Sequence, residues 1–423
     1  MAESWEELNQ RTIDRMRAGD YSGAAETARE AVEAAERSGG GPNLALGLNN
    51  LALALEAAGD LEGAENALER LYRLHRELYG PEDPKGVEAA YDLGMVYTGL
   101  ADSYARAENP EKSGDALRRA LKLFEDTVGP GHPAFGDVLG RLAENYAARG
   151  AQQAAEPLFQ QSIEILRATL PKDDPELARR MEALARFYLR MGQNDKAEAQ
   201  LREAVWIYEK KEPADSAELA GARNDLAECY LALGKPDKAG PLLEKALDAR
   251  EKALGPEHPA VAQTLNDQAI LLEHTGRLRE AAEKHERALA IRETAFGKTH
   301  MAVTQSLENL AAVYQQTGRL AEAEELTRRS LAIWEENAGE NHPATAQAAF
   351  ALATILFLRV KYRECERTLH RVERILLDNL GPDNENLAAV YKALGSVNEK
   401  LGRPEETDRY AMLFGELLQK NRK

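Results

Sequence analysis

Apolar residues recur along the chain at the spacing of one helix face, in pairs of segments joined by short polar turns. In one such pair, Leu265 and Ala269 share a stripe of the first segment, and Ala281 and Ala288 share a stripe of the second. Gly276 lies between the two segments, where a left-handed cap conformation costs glycine little. The pattern therefore predicts pairs of amphipathic helices joined by tight turns.

The turn position repeats at a fixed interval. Gly19 and Gly59 begin the series, and Glu108 takes the glycine's place in the third pair. The step from Gly59 to Glu108 is seven residues longer than the later period of 42. Seven residues are about two helical turns, so we expect a longer first helix in the third pair with its buried face still in phase. The later turn positions are Gly150, Gly192, Gly234, Gly276, Gly318, Val360 and Gly402.

This period assigns the whole chain, residues 1–423, to one array of about ten repeats, in which each repeat packs on its neighbours rather than on a single core. The sequence thus predicts an all-α solenoid. The approximate repeats are 1–40, 41–80, 81–129, 130–171, 172–213, 214–255, 256–297, 298–339, 340–381 and 382–423.

The repeats resemble the tetratricopeptide repeat (TPR), and specifically its 42-residue form in kinesin light chains. The resemblance to kinesin light chains rests on the segments Leu254–Pro259 and Leu48–Ala52. It implies a right-handed superhelical solenoid whose first helices line a concave surface that binds an extended peptide. No heptad segment precedes the repeats, which disfavours a motor-subunit role. The sixth repeat carries the TPR motif at Leu226, Ala227, Tyr230, Gly234, Ala239 and Ala246.

The net charge is −17, with 54 basic and 71 acidic residues. This balance argues against a nucleic-acid or anionic-membrane partner and favours a protein or peptide partner. The two cysteines, Cys229 and Cys365, lie in distant repeats, and no apolar run is long enough to span a membrane. The N-terminus lacks the features of a signal peptide. We therefore expect a cytoplasmic protein.

Candidate catalytic and metal-binding residues are lacking. Four histidines repeat in register, but successive repeats are too far apart to share one coordination sphere. Their place before a helix predicts a capping role instead. Gly39–Pro42 lacks the Lys-Ser/Thr of a phosphate loop. We expect no enzymatic activity, no metal and no cofactor. The four histidines are His132, His258, His300 and His342.

The resemblance places the inward-facing residues 13, 10, 6 and 3 positions before each turn residue, a spacing that shares one helix face. Amides recur in these positions, and an amide can both donate to and accept from a peptide backbone. They are predicted to bind a partner peptide; alternatively, they hydrate the groove or bond neighbouring helices. The candidates are Asn49, Asn224, Asn266, Gln263, Gln305 and Gln347.

The same positions differ in two repeats. In the fifth repeat they include Arg179 and Arg186, with Arg190 beside them, and these could bind a carboxylate or phosphate or pair internally with neighbours such as Glu144. In the ninth repeat two of them are phenylalanines, and we predict a binding role there, the alternative being that the phenylalanines pack on the tenth repeat. The ninth-repeat candidates are Phe350, Thr354 and Phe357.

The function predicted from these features is a non-enzymatic scaffold or adaptor that binds an extended peptide or a partner's surface in its concave groove. One alternative is a head-to-tail homo-oligomer formed through the terminal repeats, where Leu413, Leu417 and Leu418 have no further repeat to cover them. Another is a peptide-sensing regulator of a separate enzyme or transcription factor.

Overall fold

The computed structural model describes residues 3–80 and 84–420, which form twenty α-helices and one short 3-10 turn, with no β-strand among them. The chain divides into two compact units, residues 1–211 and 212–423. This boundary falls in the turn between the fifth and sixth predicted repeats. The arrangement of all ten repeats as one continuous solenoid remains a prediction, whereas the helix pairs within each unit are as predicted.

Unit 1 holds five helix pairs, one in each of the first five predicted repeats. Most of its helices have a polar N-cap or a proline in the first turn, and these features set where each helix begins. Its helices are α1 (Trp5–Arg17), α2 (Tyr21–Arg37), α3 (Pro42–Ala57), α4 (Leu61–Tyr79), α5 (Pro84–Arg106), α6 (Pro110–Thr127), α7 (Pro133–Ala148), α8 (Gln152–Thr169), α9 (Pro175–Arg190) and α10 (Asn194–Lys211).

Unit 2 holds the other five pairs. A 3-10 turn, Met301–Val303, leads into the first helix of its third pair. Its helices are α11 (Ala217–Ala232), α12 (Pro236–Leu254), α13 (Pro259–His274), α14 (Leu278–Phe296), α15 (Thr304–Gln316), α16 (Leu320–Ala338), α17 (Pro343–Leu358), α18 (Tyr362–Leu380), α19 (Asn386–Lys400) and α20 (Pro404–Lys420).

The turn within each pair is left-handed, even where the residue is not glycine. Gly276 has φ +74°, while Val360 and Glu108 have φ 62° and 55°. A β-branched residue such as valine is strained in this conformation. The turn therefore imposes its geometry on the sequence, and Val360 is retained at a cost in stability.

The predicted insertion lies in α5. This helix has 23 residues, against 16 in α7, α9 and α11. The difference of seven residues matches the longer step in the sequence, so the prediction is confirmed.

The four in-register histidines cap helices. In each of them Nδ1 accepts a hydrogen bond, 3.1 to 3.2 Å long, from the backbone N–H two residues later. This bond satisfies one of the free N–H groups at a helix start. The capping role predicted for His132, His258, His300 and His342 is confirmed.

Small side chains fill the interface between helices. Ala239, Ala246 and Ala281 are completely buried, as is Leu265. Alanine at these sites lets neighbouring backbones approach closely and leaves leucine to fill the remaining space. In the described part of the chain, no helix combines the length and apolar character needed to cross a membrane.

Candidate functional site

The first helix of every pair, here called helix A, carries all the candidate binding residues. Helix A corresponds to the odd-numbered helices α1 to α19, and their surface on the side away from the second helices is called the helix-A face. The structure separates the candidates into three groups: amides within an internal network, arginines beside a cavity in unit 1, and aromatic residues at a cavity in unit 2.

The amides ten positions before the turn bond to the next helix A. Asn266 Oδ1 accepts from Asn309 Nδ2 at 2.7 Å, and Asn224 Nδ2 donates to Asp267 Oδ2 at 2.7 Å. Asn224 and Asn266 are each only 1% exposed. Asn9 Oδ1 accepts in the same way from Asn50 Nδ2 in unit 1. The geometry thus matches the alternative in which these amides bond neighbouring helices.

Asp267 is the centre of this network in unit 2. Its carboxylate also accepts from Gln263 Nε2 at 3.2 Å, while Gln263 Oε1 accepts from Arg292 Nη2 at 3.1 Å. Desolvation outweighs these bonds and raises the pKa of Asp267 to about 6. Gln263 is therefore largely occupied within the protein as well.

Glu228, on the neighbouring helix α11, has a pKa above that of Asp267. Desolvation, followed by repulsion from Asp267 and Asp225, raises the pKa of Glu228 to about 7. Part of the Glu228 residue on α11 reaches solvent, while its carboxyl group lies among the other helix-A carboxylates. Repulsion among carboxylates across the helix-A face was not foreseen from the sequence, because no motif there marks these residues as neighbours.

The remaining amides are accessible. Gln305 and Gln347 are exposed on α15 and α17, and Asn49 is half-buried on α3. Within residues 3–80 and 84–420 no side-chain hydrogen bond holds these three amides, so they can contact a partner directly.

The predicted arginines lie beside a cavity of about 770 Å³ in unit 1. Arg179 pairs with Glu176 on its own helix, and Arg186 Nη1 donates to Glu182 Oε1 at 2.8 Å. Arg190 is exposed at the end of α9. Two of the three arginines are thus paired within α9.

Arg180 bonds to three carboxylates at this cavity. It was not predicted from the sequence, because it lies one position outside the expected spacing. It is 3% exposed and bonds to Asp137, Glu144 and Glu176 at 2.7, 2.7 and 3.0 Å. The pairing with Glu144 expected of the other arginines is therefore made by Arg180. Because carboxylates balance the arginines, the cavity offers no strong preference for an anion.

Phe350 and Phe357 line an apolar cavity of about 350 Å³ in unit 2, here called the Phe350 cavity. Both rings are half-buried on α17, and Phe357 packs against Tyr362 with 5.4 Å between ring centroids. Thr354 lies between them, with its hydroxyl donating to the Phe350 carbonyl. Residues of α18 and α19 complete the lining, among them Cys365, Leu369, Ala389, Lys392, Ala393, Ser396 and Val397.

A second cavity lies on the other side of Phe350. It measures about 500 Å³ and includes Gln347 and the exposed Leu380 in its lining. The Phe350 ring thus stands between two cavities that share α17 and α19. Packing on the tenth repeat and an accessible surface occur together here, so the two alternatives from the sequence are not exclusive.

Lys392 supplies the only charge in the lining of the Phe350 cavity within the described residues. Its side chain is exposed on α19, and Ser396 bonds only to the Lys392 backbone carbonyl. No ion pair to Lys392 occurs among residues 3–80 and 84–420. The site therefore combines an apolar cavity with one free cation.

The terminal leucines differ from the prediction. Leu417 is 4% exposed because it packs inside its own repeat, and Leu413 is half-buried. The expectation that all three leucines would be uncovered was wrong for these two. Leu418 and Met412 remain exposed on α20.

Candidate metal ligands do not converge: within the described ranges, no group of three or more His, Cys, Asp or Glu side chains could hold a metal ion. Cys229 and Cys365 are buried free thiols. The Cys365 thiol donates to the Ala353 carbonyl, and desolvation raises its pKa to about 11, so it is a poor nucleophile.

Several solved structures are similar to this chain. Nearly identical TPR-like repeats of a Podosopora anserina protein described as a kinesin light chain match at 27% identity and TM-score 0.44, covering 49% of this chain and 98% of that chain. BtubC (BKLC) from P. vanneervenii matches at 26% identity and TM-score 0.45, covering 57% and 92%. The apo form of RapI, at 14% identity, has TM-score 0.57 and covers 90% and 98%. No curated protein matches the chain.

Family models agree with the repeat pattern in both units. One tetratricopeptide repeat model matches residues 43–99, 95–168, 218–294 and 301–364, and a second matches residues 177–217. Together with the all-helical pairs and the left-handed turns, these matches establish that the chain belongs to the tetratricopeptide repeat family.

Proposed function

We propose that the chain is a scaffold that binds an extended segment of a partner protein on its helix-A face, with an apolar partner side chain held in the Phe350 cavity. Tetratricopeptide repeat proteins typically act as scaffolds for protein–protein interactions. The single observation that carries the proposal is an accessible apolar cavity on this face, lined by two half-buried phenylalanines.

The size and lining of the cavity suit an apolar anchor. A volume of about 350 Å³ lies at the lower end of the ~300–1,000 Å³ range of ligand pockets. Burying an aromatic or large aliphatic side chain there would contribute roughly 2–3 kcal/mol. Lys392 beside it would favour a partner segment with a carboxylate close to the apolar anchor.

Other candidates extend this proposal along the helix-A face. Gln347 lines the neighbouring cavity, and Gln305 and Asn49 are free to bond a peptide backbone. Arg179 and Arg186 would contact acidic partner side chains only by exchanging their present ion pairs with Glu176 and Glu182, whereas Arg190 is exposed at the end of α9. Asn224, Asn266 and Gln263 are assigned to the internal network. The proposal gives the chain no catalytic role, cofactor or metal.

The test is a peptide-display selection on the wild-type chain with removal of binders to Phe350→Ala/Phe357→Ala. The proposal expects a consensus with one aromatic or large aliphatic residue next to an acidic residue. Phe296→Ala is the matched control, because Phe296 is an exposed phenylalanine that stacks on His300 away from the cavity. Failure to enrich any peptide that distinguishes wild type from the double variant would contradict the proposal.

Self-association is a second candidate, favoured by Met412 and Leu418, which are 66% and 40% exposed on α20. A second copy covering this surface would form a dimer or a longer array. Sedimentation velocity over a range of concentrations tests it. Association that Met412→Ser/Leu418→Ser abolishes would support this function, whereas a monomer at high concentration would exclude it.

A further inference from the structure

Three large apolar side chains are exposed on the helix-A face of unit 1, far from the Phe350 cavity along the chain. Leu46 and Leu53 on α3 are 45% and 49% exposed, and Met95 on α5 is 47% exposed. Leu46 and Leu53 are seven residues apart, so they lie on one side of α3, about 10 Å apart along its axis. Single exposed apolar residues are ordinary, but Leu46 and Leu53 share one side of α3, and Met95 has the same position relative to its turn residue as Leu46, 13 residues before it.

Carboxylates accompany this patch. Glu56 lies one turn beyond Leu53 on α3, and Glu88 and Asp92 precede Met95 on the same side of α5. Desolvation, then repulsion from Glu88 on its own helix and from Glu56 on α3, raises the pKa of Asp92. We call this surface the acidic apolar strip; it comprises Leu46, Leu53, Glu56, Glu88, Asp92 and Met95.

Basic side chains do not neutralise the strip. Helix α3 contains no Lys or Arg, and α5 contains only Lys85 and Arg106, at its two ends. In the part of the chain that the structure describes, no ion pair joins Glu56, Glu88 or Asp92 to a cation. Residues 1–100 as a whole carry 19 acidic and 9 basic side chains, a net charge of −10.

We propose that the acidic apolar strip binds a basic segment of a partner protein, in which aliphatic or aromatic side chains alternate with Lys or Arg. The apolar side chains would cover Leu46, Leu53 and Met95. The basic groups would approach the three unpaired carboxylates and relieve their mutual repulsion. This chemistry is opposite to that of the Phe350 cavity, where the free charge is the cation Lys392.

Charge complementarity selects this occupant among the alternatives. A phosphate backbone or an anionic lipid surface would be repelled by the carboxylates. A neutral apolar peptide would leave the carboxylates unpaired and partly desolvated, which costs free energy. A basic apolar segment covers the exposed leucines and pairs the carboxylates at the same time.

The experiment measures fluorescence anisotropy of two short synthetic peptides titrated with the full chain. One peptide alternates Leu with Lys and Arg, and the other has Glu and Asp in place of the basic residues. The charge variant Glu56→Gln/Glu88→Gln/Asp92→Asn keeps the shape of the strip. Its matched control, Glu26→Gln/Glu33→Gln/Glu77→Gln, removes the same charge from exposed positions on α2 and α4.

The proposal expects the basic peptide to bind and the acidic peptide not to bind. Binding should weaken about tenfold in the charge variant, the result of losing three exposed pairs of roughly 0.5 kcal/mol each, and should stay within about twofold in the control. Equal weakening in the two triple variants would show attraction to net charge alone and overturn the proposal, as would equal binding of the acidic peptide.

A second variant tests the apolar part. Leu53→Ser/Met95→Ser changes half-exposed side chains, so circular dichroism should show the wild-type helix content. We expect it to weaken the basic peptide about fivefold or more, because the peptide's leucines lose their contact surface. Unchanged affinity in this variant would also overturn the proposal. Phe350→Ala/Phe357→Ala should leave basic-peptide binding unchanged, which separates this site from the Phe350 cavity.

Discussion

Asn266 accepts a hydrogen bond from Asn309 across two successive helix-A segments, and both side chains belong to a recurring arrangement. In each case an amide ten positions before one turn residue bonds to the side chain nine positions before the next. Asn9 with Asn50 and Asn224 with Asp267 follow the same rule. These bonds fix how one repeat stacks on the next.

Asn266→Ala should destabilise the protein by about 1–3 kcal/mol, because it removes an almost fully buried amide that accepts the hydrogen bond of Asn309. Asn49→Ala is the control, since Asn49 occupies the same position of its repeat but is only half-buried; we expect a change within about 0.5 kcal/mol. Urea unfolding followed by circular dichroism measures both. Equal effects of the two substitutions would contradict the internal role of Asn266.

Val360→Gly should stabilise the protein by about 0.5–1 kcal/mol, because glycine adopts the left-handed turn without the strain of a β-branched residue. The Val360 side chain is mostly exposed, so its removal gives up little packing. Gly402→Val is the mirror experiment at the next turn, where φ is +70° and the added Cβ would meet nothing within 4 Å. Thermal unfolding should therefore show opposite shifts, and a lower melting temperature for Val360→Gly would refute the strain argument.

Glu324 on α16 binds three cations: Arg328 on the same helix, and Arg359 and Lys361 in the turn between α17 and α18. Desolvation alone would raise its pKa, but hydrogen bonds from Lys361, Arg328 and Arg359 outweigh that effect and lower the pKa to about 2. Stability from this group is present above the ordinary carboxylate pKa and is lost as the pH falls towards 2. Glu324→Gln should destabilise the protein by about 1–3 kcal/mol at pH 7.

The control for this carboxylate is Glu322→Gln, which removes an exposed partner of Arg319. It should change the free energy of unfolding by less than about 0.5 kcal/mol. Chemical denaturation at pH 7 measures both variants. Similar small effects of the two substitutions would contradict a stabilising role for the three hydrogen-bonded cations around Glu324.

Glu228 and Asp267 should make the protein more stable in mild acid. The folded pKa values, about 7 and about 6, are above those of free carboxylates, so the folded state binds more protons. Stability should therefore fall as the pH rises from about 4.5 to 7 and then level off. Glu228→Gln should reduce this slope. Melting temperatures between pH 5 and 8 measure it, and a slope unchanged by the substitution would contradict the repulsion.

The helices could be predicted well from the sequence because the same pattern of apolar and polar positions recurs in successive repeats with a period of 42 residues. The resemblance to the tetratricopeptide repeat, which implies inward-facing residues at fixed positions before each turn, singled out Phe350 as a candidate. The hydrogen bonds of Asn224 and Asn266 to the next helix A could not be predicted in this way. Their partners lie 43 residues away, and the choice of partner depends on the direction of the side chains.

Two other features escaped the sequence for related reasons. Arg180 lies one residue from an expected position, and that rotation of about 100° turns its side chain into the protein rather than onto the face. Leu46 and Leu53 occupy inward-facing positions, 13 and 6 residues before Gly59, but leucine is common in the core of an apolar helix, and their exposure in the structure is what marks them as part of a surface.

The most direct test of the scaffold function is calorimetric titration of the best selected peptide into wild type, Phe350→Ala/Phe357→Ala and the control Phe296→Ala. The proposal predicts at least about tenfold weaker binding to the double variant, because an apolar anchor loses roughly 1.4 kcal/mol or more of contact energy. Phe296→Ala should bind like wild type. Equal affinity for all three proteins would contradict the assignment of the Phe350 cavity as the partner-binding site.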